Sequence, residues 1–110
     1  MLNFLKKKKI VPVVYMSGII GNIGALRNGI TISSIQDLLE KAFKIKNSAA
    51  VAIIINSPGG SPTQSSLIYK RIKKLAKKNN SKVFFFIEDV AASGGYYIAC
   101  AGDEIYADEN

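Results

Sequence analysis

Residues Ala50-Val51-Ala52-Ile53-Ile54-Ile55 are apolar without interruption and stop abruptly at Asn56-Ser57-Pro58-Gly59-Gly60-Ser61. The run is too short for a buried helix and shows no alternation of polar and apolar residues. It therefore reads as a strand covered on both faces, the pattern of a parallel sheet. Parallel neighbours must be joined by crossovers of roughly a dozen residues or more, usually helical. That requirement organises the rest of the chain.

Helical segments fall where the crossovers are needed. Ile35, Leu38, Leu39, Ala42 and Phe43 recur at spacings of three and four, with Ser33 or Ser34 placed to cap. Beyond the Pro-Gly-Gly loop, Leu67, Ile68, Ile72, Leu75 and Ala76 give a second apolar stripe. Ile10 to Ile20 reads as a first strand running into a loop that holds Gly24 and Gly29, and Val83 to Ile87 as a third strand. Gly95 to Ala101 is a short buried helix, and Glu104 to Ala107 opens a fourth strand. The alternation defines an α/β fold. Residues 10–110 form one domain behind a basic N-terminal segment, residues 1–9.

Composition narrows the function classes. With 48% hydrophobic residues in 110, the chain has the apolar content to build a core. Its formal charge of +7 is uneven: Lys6 to Lys9 are consecutive, and Lys70, Arg71, Lys73, Lys74, Lys77, Lys78 and Lys82 have no acid among them. This reads as a solvated helix face capable of peripheral contact with an anionic membrane. No aromatic residue interleaves with these cations, so nucleic acid is not an expected partner. No window has the roughly 18 apolar residues of a spanning helix, and the N-terminus lacks the order of a signal peptide. A cytoplasmic or membrane-associated place fits both observations. With no histidine and one cysteine, neither a metal nor another cofactor is expected, and Cys100 reads as an inert buried thiol.

Two loops carry the chemistry. In a parallel α/β sheet the loops leaving the carboxyl ends of neighbouring strands lie side by side, at the edge where ligands bind. Asn56 to Ser61 leaves the second strand. Ala91-Ala92-Ser93-Gly94-Gly95-Tyr96-Tyr97 leaves the third and sets a serine at a glycine-flanked break before a helix. A hydroxyl attacking an amide carbonyl builds an oxyanion that needs preorganised backbone donors. Gly60 and Gly94 can expose such N–H groups, Gly60 also lets a substrate backbone come close, and Gly59 beside it is a candidate for substrate binding. A plain N-cap serine between turn glycines is the alternative, weakened by two consecutive glycines at the start of a helix. With no histidine in the chain, any base for Ser93 must be another group.

These motifs, in this order and followed by Ile98-Ala99, resemble the signal peptide peptidase A or protease IV family of serine peptidases. The resemblance extends from Val13-Val14 to Ala107. It implies a Clp protease or crotonase-like superhelix of strand-strand-helix units, with Ser93 as nucleophile and Gly60 and Gly94 as oxyanion donors. It also implies a lysine base in place of histidine, a peptide or unfolded-protein substrate, and a homo-oligomer.

In the short members of that family the base follows the nucleophile at some distance. None of the thirteen lysines here is placed for the task, and the chain ends seventeen residues after Ser93. The expectation is the N-terminal part of a truncated peptidase domain, with its lysine beyond residue 110 and negligible turnover from these residues alone. Two alternatives stand beside it. One is a crotonase-like thioester enzyme using the same backbone donors; the other is a non-catalytic peptide-binding or assembly module.

Overall fold

The computed structural model describes residues 10–24 and 27–108. The basic segment of residues 1–9 lies outside the described residues. The elements run β1 (Val13–Ser17), β2 (Asn22–Gly24), β3 (Arg27–Asn28), α1 (Ile32–Phe43), β4 (Ala50–Ser57), α2 (Pro62–Lys78), β5 (Lys82–Ala91), α3 (Gly94–Ala99) and β6 (Glu104–Ala107). The main sheet has the order β1-β4-β5-β6 and is parallel throughout. β2 and β3 form a small antiparallel hairpin where the sequence suggested only a loop.

Strand order decides where the helices go. Each connection steps one strand in the same direction, and right-handed crossovers then stack every helix on one face. Accordingly α1 packs on α2, and α2 on α3. The register puts Val14, Ile53, Phe85 and Ile105 in one lateral row, and Met16, Ile55 and Ile87 in the next. These rows meet Leu39, Phe43, Ile68, Ile72 and Ile98 to make the core. Each large side chain fully buried there contributes roughly 1.5–3 kcal/mol.

The other face of the sheet differs from the two-sided cover that the apolar run suggested. Its lateral row Tyr15, Ile54, Phe86 and Tyr106 is uncovered, with Tyr15 65%, Phe86 41% and Tyr106 46% exposed. Phe86 and Tyr106 stack at 5.2 Å between ring centroids. The continuous apolarity of β4 thus serves a core on one side and an open aromatic surface on the other.

Several boundaries and burials are corrected. Thr31 caps α1, and Ser34 completes a capping box with it instead of capping alone. Leu38 and Leu67 are exposed, because each sits at the edge of its helix's apolar arc and faces past the sheet. Cys100 is exposed as the C-cap of α3, a helix too short to carry it into the core.

Candidate active site

β4 and β5 are hydrogen-bonded neighbours, so their carboxyl-end loops converge. Register along the pair is regular up to Ile55↔Ile87 and resumes at Ser57↔Ala91, with extra residues bulged out of β5. The Asn56 side chain holds this bulge. Its Oδ1 accepts from Val90 N–H at 3.3 Å, and its Nδ2 donates to Asp89 at 3.5 Å. Ala92 N–H then donates to the Ser57 carbonyl at 3.1 Å and carries the chain into the turn that presents Ser93.

That turn is built on an unfavourable torsion. Gly95 N–H donates to the Ala92 carbonyl at 2.9 Å, and Ser93 has φ 51° and ψ −119°. These values belong to the second position of a type II′ turn, where glycine is the usual occupant. A side chain held there costs about 1–3 kcal/mol. The Ser93 hydroxyl makes no capping hydrogen bond to α3, and the residue is exposed. Ser93 occupies the N-cap position without performing the N-cap function.

The facing loop is fastened to the segment after β1. Ile20 N–H donates to the Gly59 carbonyl at 2.9 Å, and Ser61 N–H to the Ile20 carbonyl at 2.8 Å. Extended backbone sends alternate N–H groups to opposite sides, so Gly60 N–H points away from Ile20. A β-carbon on Gly60 would collide with the Ile20 carbonyl oxygen, and its φ of 149° also favours glycine. Among the described residues, no protein acceptor takes the N–H of Gly60 or of Gly94. Both residues line a cleft of about 520 Å³ together with Pro62, Ser65, Ser66, Ser93 and Tyr97. The Tyr97 ring stacks on Tyr69 at 4.8 Å, which steadies one wall.

Gly59 lies behind the cleft. Its N–H donates to the Ser57 hydroxyl at 3.1 Å, its carbonyl is taken by Ile20, and its α-carbon rests against Ser93. Ser57 is fully buried. Ser65, also buried, donates to the Ser61 carbonyl at 2.8 Å and leaves no room for a β-carbon on Gly94. Gln64 accepts from Ile32 N–H at 2.8 Å and ties the start of α1 to that of α2. Sequence reading named Ser93, Gly59, Gly60 and Gly94, which the fold brings together. It passed over Asn56, Ser57, Ser65 and Ile20. Polar residues abruptly ending an apolar strand were the available signal for the first two.

Among the described residues, no lysine lines this cleft. Among the described residues there is no cluster of metal-ligating side chains, and no helix is long and apolar enough to cross a membrane.

The parallel sheet with helices stacked on one face has a counterpart among solved structures. The chain resembles the membrane-bound stomatin-specific protease 1510-N, solved as a serine-to-alanine mutant, with a TM-score of 0.65 and 23% identity. The alignment covers 93% of this chain and 45% of that one. The fold is therefore that of the Clp protease and crotonase class. Residues 75–110 match the profile of peptidase family S49. That match spans about a third of the chain.

Two curated sequences named Na(+)/H(+) antiporter NhaA, from Brucella abortus (strain 2308) and Brucella melitensis biotype 1, are each 58% identical to it over 99 residues. Those residues make up 89% of this chain but only 14% of either relative.

Proposed function

We propose that this chain carries the nucleophile and oxyanion donors of a serine endopeptidase of the signal peptide peptidase A type. The observation that carries the proposal is the strained turn at Ser93, which holds an uncapped hydroxyl beside two N–H groups without protein acceptors. The match of residues 75–110 to the profile of peptidase family S49 supports the same chemistry.

In the proposed reaction Ser93 Oγ attacks the carbonyl carbon of an extended peptide while its proton passes to a base. The carbonyl oxygen gathers negative charge between Gly60 N–H and Gly94 N–H. One such donor is worth about a hundredfold to a thousandfold in rate. The tetrahedral adduct collapses with protonation of the leaving amine, and water then hydrolyses the acyl-serine. Gly59 serves substrate binding by setting the spacing between Ser93 and Gly60. The base is a lysine beyond residue 110, neutral in the resting enzyme through burial.

Residues 10–110 are proposed as the N-terminal part of the peptidase domain. Assembly into a homo-oligomer belongs to the same reading, supported by the uncovered sheet face and the edge strands β1 and β6. The names of the relatives describe membrane proteins, and a membrane setting is proposed for this chain as well.

The test uses the natural polypeptide that contains these residues, treated with a serine-reactive phosphonate and an unstructured protein substrate. Mass spectrometry should find the phosphonate on Ser93, and Ser93→Ala should abolish both labelling and hydrolysis. Hydrolysis that survives Ser93→Ala would overturn the assignment, and thioester turnover by that variant would favour crotonase-like chemistry.

A further inference from the structure

Among the described residues, the most concentrated charge lies on α2. Lys70, Lys73, Lys74, Lys77 and Lys78 follow one another at helical spacings of three and four, on the side opposite the buried Ile68, Ile72 and Leu75. All five are exposed, as is Lys82 just past the helix. Among the described residues the one ion pair joins Arg71 to Glu40 at 3.3 Å, so none of these lysines is neutralised by a carboxylate. At the far end of α2 the face borders a hollow of about 700 Å³ whose rim carries Lys73, Lys77 and Lys82. Its one carboxylate, Asp103, is engaged by Val83 N–H at 2.7 Å.

Position joins this face to the candidate active site. Ser66 lines the Ser93 cleft and sits one helical turn before Lys70. The cationic stripe therefore begins about 6 Å along the helix axis from the cleft wall.

We propose that the lysine face of α2 docks on an anionic lipid surface, laying the helix flat and setting the Ser93 cleft beside the bilayer. A convex row of lysines matches a plane of negative headgroups, whereas a peptide partner would need a groove and backbone donors along the helix. Nucleic acid would be expected to use aromatic stacking, and Lys70 to Lys82 contains no aromatic residue. Each lysine near such a surface raises partitioning roughly fivefold, and the attraction fades beyond about 10 Å at moderate salt. This docking does not depend on Ser93 chemistry.

The test is co-sedimentation of the purified chain with phosphatidylcholine vesicles, with and without phosphatidylserine. Binding should require phosphatidylserine and weaken as salt rises. The triple variant Lys73→Gln, Lys74→Gln, Lys77→Gln should lose about a hundredfold in partitioning. Lys41→Gln, Lys44→Gln, Lys46→Gln removes the same charge from the end of α1 and should cost far less; circular dichroism checks that both variants fold. Equal losses in the two variants would show a net-charge effect and overturn the proposal. So would binding to neutral vesicles, binding that survives the α2 substitutions, or displacement of bound protein by single-stranded nucleic acid at equal charge.

Discussion

A β-carbon built on Gly59 would stand 3.0 Å from the β-carbon of Ser93. The two loops touch backbone to side chain, and the empty position on Gly59 is what lets Ser93 keep its place. Gly59→Ala should therefore push the serine turn outward as well as strain a residue at φ 108°. A loss of about 1–3 kcal/mol is expected in urea denaturation. Unchanged stability would mean that the loops are not in contact.

Ser93→Gly should have the opposite effect on stability. A glycine satisfies the second position of a type II′ turn, so the substitution should stabilise the fold by about 1 kcal/mol while removing all phosphonate labelling. Thermal unfolding of the two proteins side by side checks this. A fall in Tm would show that the hydroxyl contributes to the fold.

Ser57→Ala leaves the N–H of Gly59 buried without its acceptor. The expected loss is about 1–3 kcal/mol, larger than for an exposed serine such as Ser33. Equilibrium denaturation gives the difference directly. Hydrogen exchange at Gly59 should accelerate in the same variant.

Tyr106 should titrate above the ordinary tyrosine range. Its hydroxyl donates to Glu104 at 2.8 Å, and that hydrogen bond, followed by burial and the Glu104 charge, raises its pKa from 10.0. A raised folded-state pKa means that the contact's contribution is intact below the ordinary tyrosine pKa and disappears as pH rises through the higher folded value. Ultraviolet titration of tyrosinate should show one late component that Tyr106→Phe removes. Loss of an early component instead would contradict the assignment.

The strands were legible in the sequence because β4 and the first part of β5 are unbroken in apolarity. Their ends were not. β5 runs on to Ala91 because Asn56 holds Val90 from the neighbouring strand, a contact that the polar run Glu88-Asp89 gives no local sign of. The four residues named for the site do meet, since motif spacing and strand adjacency suffice to bring two loops together. The torsion at Ser93 was illegible, because it arises from the Ala92 to Gly95 closure and from the wedge of Ser57 and Ser65 behind the glycines. Leu38 and Leu67 fit the helical period but lie at the margin of each apolar arc, where spacing alone cannot tell buried from exposed.

The parallel ladder also sets the order of events as the chain folds. β1 pairs with β4 across the span that holds α1, and β4 pairs with β5 across the span that holds α2. Such non-local pairings are late steps, since each must overcome the entropy of closing a long loop before it gains any contact. The cleft draws on Ile20, on the end of β4 and on the end of β5, so it is among the last features to assemble. A partly folded chain holds its serine turn apart from the Gly59-Gly60 loop, so the proposed site would form only once the sheet is complete.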